Sequence, residues 1–240
     1  MARPSKPLIS RETAVAAALA VIDEHGVAGF GLNAVAQRLG VKAPSLYHHF
    51  ASKEDLLSEV ARSLLIEGEL PPFERDPDWV EQIVGISLST WRSVLRHPQA
   101  AVLLLQFMPM SMMMGAYEHW AHYLAVNGVP SRLHLVILDG TDKLTFGSIL
   151  FTAQRRINGQ ASITDLHNDS LPYLSQASAA LGASDEEMFA ASIRNYVRGV
   201  LASDAEAGDE EPRAELQAPG EAQQDTPAGV DQRKRVRRAR

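Results

Sequence analysis

GLNAVAQRLGVKAPSLYHHF, residues 31–50, decides how the rest of this chain is read. Leu32, Val35, Ala36 and Leu39 recur at i, i+3, i+4 and i+7, so a short helix places all four on one buried face. Gly40 ends that helix, because glycine reaches positive φ without a Cβ penalty and permits the sharp reversal inside a helix-turn-helix. A second short helix is predicted after it. Pro44 falls in its first turn, where a missing N–H costs nothing, and Leu46 and Phe50 are spaced i, i+4 toward the core.

Lys42, Ala43, Ser45, Tyr47, His48 and His49 are then left facing outward, and no carboxylate falls between Asn33 and Phe50. A helix that offers hydroxyls, imidazoles and a cation without negative charge suits the major groove of DNA, where it lies between phosphates without repulsion. The other reading is a helical hairpin whose polar residues simply face water. The flanks complete a small domain. Ser10 caps a helix to about His25, with Val15, Ala18, Leu19 and Ile22 as its apolar stripe and Gly26 as its stop. Ser52 and Asp55 have capping-box spacing ahead of an amphipathic helix with Leu56, Leu57, Val60, Leu64 and Leu65.

Taken together, RETAVAAALAVIDEHGVAGFGLNAVAQRLGVKAPSLYHHFASKEDLL resembles the N-terminal DNA-binding domain of the tetracycline-repressor (TetR) family of transcriptional regulators. Leu39-Gly40-Val41, Leu46-Tyr47, His49-Phe50 and Lys53 carry the likeness. The family usually has Thr or Ser where this chain has Gly31, which predicts a weaker helix start there and not a different fold. The resemblance implies base-edge or groove contacts from Asn33, Ala43, Pro44, Ser45 and Tyr47. It implies phosphate contacts from Lys42, Tyr47, His48, His49 and Lys53. Ala43 and Pro44 offer only apolar contact, so direct readout is expected to be sparse.

Composition agrees with a globular protein: 240 residues, 45% hydrophobic and 22% charged, with no cysteine for a disulfide or thiol chemistry. No apolar run reaches the length of a membrane span and MARPSKP has no apolar signal core, so a cytoplasmic protein with no membrane partner is expected. The net charge of −6 hides a division along the chain. Residues 1–66 carry seven Lys/Arg against six Asp/Glu, leaving the first domain near neutral.

Four segments are expected: a flexible arm over 1–9 with Arg3 and Lys6, the helix-turn-helix domain over 10–66, a second helical domain over 78–202, and a tail over 203–240. Three prolines in PPFERDPD mark the break between the domains. Asp78 is predicted to cap a helix with Trp79, Ile83, Ile86, Trp91 and Leu95 that ends before Pro98. The fold class is therefore all-α, an N-terminal three-helix unit joined to a C-terminal helical domain for ligand binding and dimerisation.

In AAVLLLQFMPMSMMMGAYEHWAHYLAVNGV, five of the chain's seven methionines cluster. Polarisable thioethers can line a pocket for apolar ligands. Met108, Met112 and Met113, with Trp91, Phe107, Tyr117 and Trp120, are the candidates; core filler is the other reading for each methionine. Glu118, His119 and His122 lack a third partner for a metal, so neither metal nor other cofactor is expected. A long helix over 131–154 carries Leu133, Val136, Ile137, Gly140, Leu144, Gly147 and Phe151 along one side. A last one starts at Ser184, with Glu187 completing a capping box, and carries Met188, Ile193, Tyr196, Val197 and Val200. Such helices suit a four-helix bundle between two protomers, and a dimer is what reading a palindrome requires.

The tail turns acidic and then ends in DQRKRVRRAR, with six basic side chains; low apolar content predicts disorder. The family likeness implies a repressor that binds double-stranded operator DNA as a homodimer and releases it to a small apolar effector. The alternative is an all-α small-molecule-binding protein or enzyme without DNA affinity. No nucleophile–base pair or phosphate loop supports an enzyme.

Overall fold

The structure, a computed structural model, describes residues 9–65, 70–108 and 110–208. Residues 1–8 of the expected arm and the Arg-rich end of the tail lie outside the described residues; Ile9, expected in the flexible arm, is instead buried in the core. Among those described, every regular element is helical.

The first domain is built as its caps dictate. Helix α1 (Arg11–His25) opens on Ser10, whose hydroxyl accepts the Thr13 N–H at 3.2 Å, and closes on Gly26 at φ +69°. Its deeply buried residues are Ala14, Ala17, Ala18, Val21 and Ile22, so the stripe is turned about one residue from the predicted one. Val15 and Leu19 are half-buried beside it. Small alanines at the contact let α2 (Leu32–Arg38) and α3 (Lys53–Ser63) approach α1 closely. Gly31 starts α2 without any side-chain cap, as expected from the missing hydroxyl. Gly40 takes φ +68° and the next N–H, that of Val41, bonds back to Ala36 at 3.0 Å.

The reading segment Ala43–His48 is a tight 3₁₀ helix and not the α-helix that the i, i+4 spacing suggested. With Pro44 near its start and only six residues, it is held by i→i+3 bonds such as Ser45 N–H to Lys42 O at 2.9 Å. Leu46 and Phe50 still point into the core.

The second domain centres on α4 (Trp79–Leu95), α7 (Ser131–Ile157) and α9 (Asp185–Gly208), which pack mutually. Short α5 (Leu103–Gln106) and longer α6 (Met110–Val126) cross one side, and α8 (Pro172–Leu181) lies outside. Asp78 makes no side-chain cap for α4. Asp76 does that work instead, accepting the Asp78 N–H at 2.8 Å, the Gln82 amide at 2.9 Å and the Tyr123 hydroxyl at 3.2 Å. These bonds hold the Asp76 carboxyl below its usual range, the Asp78 N–H contributing most, while burial and the same carboxylate push Tyr123 up to about 12. Ser184 and Glu187 form their reciprocal cap. Helix α9 continues through residues 203–208, six residues into the segment expected to be tail.

The two domains share one continuous core. The segment from His97 to Gln106 is the seam: its Ala100, Ala101, Leu103 and Leu104 are buried, and it touches both α1 and α3.

Candidate DNA-reading face and ligand cavity

Lys42, Pro44, Tyr47 and His48 are exposed on the reading segment, and Asn33 is exposed on α2. Tyr47 is 57% exposed. Ala43, Ser45 and His49 are half-buried, and Ala43 packs against the core, which leaves it little surface for a base. Gln37 lies one turn beyond Asn33 on the same exposed side of α2; the i+4 spacing was the signal for it, and it was missed.

Two cations hold this face in place. Arg11 donates to the His49 carbonyl, and its guanidinium lies 4.5 Å from the Phe50 ring centroid. Lys53 donates to the Phe30 carbonyl at 3.0 Å with its ammonium 5.3 Å from the Phe30 ring. An ammonium has three donors, so this bond leaves others for a phosphate. Arg38 is engaged elsewhere, in a fork on Glu24 at 2.8 Å.

In the second domain a cavity of about 330 Å³ lies between α4, α6 and α7. Met112, Met113, Tyr117 and Trp120 line it, as do Ile83, Ile86 and Phe146. Met108 sits in an adjoining cavity whose wall shares Met113, Tyr117, Asp142 and Phe146 with the first. Trp91 and Phe107 line neither. The Trp91 ring is buried, stacked 5.9 Å from Phe189, and its indole N–H bonds Ser148 at 3.1 Å, which makes it a core residue. Phe107 is half-buried against the same core.

Polar groups in the cavity went unread in the sequence. Asp142 accepts the Tyr117 hydroxyl at 2.8 Å. Burial pushes the Asp142 carboxyl above its usual range and the Tyr117 phenol far above its own. Thr141 and Thr145 are buried on the wall, and neither hydroxyl has a partner. Leu65, two residues past the end of α3, also lines this wall, so the end of the first domain reaches the cavity.

His119 and His122 both pack on Phe73, at ring distances of 4.4 and 4.1 Å, and His119 Nε2 lies 2.8 Å from the Pro71 carbonyl oxygen. They fasten the interdomain segment to α6. Among the described residues no cluster of three metal-ligating side chains forms.

On the outer side of the second domain, the predicted stripe of α7 divides. Leu133 and Ile137 point inward, while Val136, Leu144 and Phe151 are exposed, Phe151 by 78%. Gly140 stands between them against Tyr196 of α9, whose hydroxyl donates to the Val136 carbonyl at 2.6 Å.

A reading segment displayed beside a helical domain with an internal cavity defines a helix-turn-helix regulator. Residues 14–60 match the family model described as bacterial regulatory proteins, tetR family. An HTH-type transcriptional regulator of Saccharopolyspora erythraea is 34% identical over 99 residues, 41% of this chain and 42% of that one. The tetracycline repressor protein class D of Escherichia coli is 26% identical over 199 residues, covering 80% of this chain and 88% of its own. In fold, the chain is similar to ActR from Streptomyces coelicolor in complex with actinorhodin, with TM-score 0.62 and 23% identity over 82% of this chain and 99% of that one. Over residues 14–60 the chain carries the domain of the bacterial regulatory proteins, tetR family, and beyond them it is similar to tetracycline repressors over most of its length. No single helix among the described residues is long and apolar enough to cross a membrane.

Proposed function

We propose that the chain works in the cytoplasm as a homodimeric repressor, binding an inverted-repeat operator and releasing it when a small, largely apolar molecule fills the cavity. The observation that carries this reading is the position of Leu65. The same wall that would touch a ligand ends on Leu65, two residues past α3, in the domain whose α1 and α3 pack together. A ligand that fits the cavity best in one arrangement of α6 and α3 shifts the population toward that arrangement, and operator affinity changes by the same coupling free energy.

The exposed groups fit the DNA half of the account. Tyr47, Pro44, Asn33 and Gln37 would meet base edges; Lys42, His48 and the remaining donors of Lys53 would meet phosphates. Half-buried Ala43, Ser45 and His49 would contribute at the margin. Dimerisation is supported by the apolar side chains that α7 leaves uncovered, Val136, Leu144 and Phe151, beside the α9 groove of Tyr196, Gly199 and Val200. Two protomers joined there would carry two reading segments, as an operator with two half-sites requires. The ligand half is supported by the cavity itself; ActR, similar in fold, has been solved with actinorhodin bound.

Sedimentation equilibrium at micromolar concentration, followed by selection of random duplex DNA on the same sample, tests the reading. The expected result is twice the 26.2 kDa chain mass and recovery of an inverted repeat. A monomer, or a bound pool without a consensus, contradicts it.

A further inference from the structure

The cavity is apolar along most of its wall, and its polar groups share one sign. Asp142 is the one ionisable carboxylate among the described residues lining this cavity, and no Lys, Arg or His lines it; Lys143, which lines the adjoining cavity with Asp142, has its ammonium on Asp139. The bonding partner of Asp142 is the neutral Tyr117 hydroxyl, which satisfies one lone pair and brings no positive charge. A carboxylate taken out of water without a counter-charge is costly, and a cation placed beside it removes that cost.

Two further groups point the same way. Threonine and serine hydroxyls inside helices commonly donate to the carbonyl one turn back, as Ser87 on this same wall does to Ile83 at 2.8 Å. Thr141 and Thr145, which flank Asp142 on α7, are buried and make no such bond. Their oxygens are acceptors without a donor beside Asp142, closed off from solvent in this arrangement. The aromatic rings of Tyr117, Trp120 and Phe146 complete the surroundings of a cation, each presenting a negative face or an apolar one.

We propose that the effector is an organic cation, a compact apolar or aromatic body with one protonated amine that donates to the Asp142 carboxylate. This rests on reading the cavity as the effector site and adds the charge of the molecule that enters it. An anion of the same shape is rejected, because it would meet Asp142 with no compensating cation. A neutral isostere binds through its apolar body alone.

Calorimetric titration of the purified full chain with naphthylethylamine, naphthylethanol and naphthylacetate tests this, on the native protein and on Asp142→Asn. Asparagine keeps an acceptor for Tyr117, and an unchanged melting cooperativity verifies that the variant folds. The amine is expected to bind the native protein about tenfold or more tightly than the alcohol, one charge-assisted hydrogen bond being worth at least that factor. The preference is expected to vanish in Asp142→Asn while alcohol binding stays, with the acetate weakest on the native protein. Equal binding of amine and alcohol overturns the charge assignment and leaves the apolar cavity as a ligand site. An amine preference that survives in Asp142→Asn overturns the role of that carboxylate. Binding of none of the three contradicts both the assignment and the cavity reading.

Discussion

His97 Nδ1 lies 2.7 Å from Asp23 Oδ2, a polar contact that ties the start of the interdomain seam to α1. Both side chains are about a third exposed, so the pair adds little to global stability; its position is what gives it weight. Beside it, the φ +69° turn at Gly26 brings the chain against Gln99. His97→Ala is expected to cost about 0.5–1 kcal/mol in urea unfolding, and a cycle with Asp23→Ala should return a coupling of similar size. Additive effects of the two substitutions would show that the contact carries no energy.

Gly140 of α7 lies directly against Tyr196 of α9. A Cβ there would stand 2.7 Å or less from three atoms of the rigid Tyr196 ring and hydroxyl. Gly140→Ala therefore expels the ring and breaks its bond to Val136. Chemical denaturation should register a loss of roughly 1–3 kcal/mol, the range for overpacking a formed contact. An unchanged midpoint would mean that Tyr196 has another place to go at no cost.

The half-buried carboxyl of Asp142 has a pH signature with a fixed sign. Its folded-state pKa is raised, first by burial and then by the nearby Asp139, with the Tyr117 bond opposing both. Between the ordinary carboxylate pKa of about 4 and the raised value, the folded protein binds more protons than the unfolded chain, so stability falls as pH rises through that window. Asp142→Asn lacks this loss. In the absence of ligand its melting temperature should gain on the native protein as pH rises from the ordinary carboxylate range through the raised folded-state pKa, then run parallel to it. A difference that narrows with rising pH would contradict the burial of this charge.

The helix-turn-helix was legible in the sequence because its determinants are local. Gly26, Gly40, Ser10 and Ser52 act through their own turns, and the spacing of Val35, Ala36, Leu46 and Phe50 identifies the core face without knowledge of its partners. The 3₁₀ form of Ala43–His48 was hidden, since the i, i+4 pair Leu46 and Phe50 turns inward in either geometry. The cavity was legible only in part. Met112, Met113, Tyr117 and Trp120 lie together on α6, where composition marked them, but Trp91 and Phe107 belong to the same apolar class and went to the core. Thr141, Asp142 and Thr145 of α7 and Leu65, far earlier in the chain, were brought with α6 to one wall by tertiary packing, which leaves no periodic signal. On α7, the split between buried Ile137 and exposed Val136, one residue apart, depends on where α9 lies. An apolar stripe alone cannot distinguish a core face from an interface.

Tyr47 separates stability from DNA reading. Its side chain is largely exposed and touches little of the core, so Tyr47→Ala should move the unfolding free energy by no more than about 0.5 kcal/mol. Leu46→Ala, one position back and buried, should cost about 2–5 kcal/mol. If the two cost the same, Tyr47 is a packing residue and not a reading one.

The most direct test of the account is to select random duplex DNA with the native protein, at a stated salt concentration, and then to titrate the recovered sequence with the native protein and with Tyr47→Ala. The account predicts an inverted repeat with half-sites about one helical turn apart, and a loss of tenfold or more in its affinity in the variant, with non-specific binding unchanged. Recovery of salt-sensitive, sequence-independent binding that Tyr47→Ala leaves intact would contradict it.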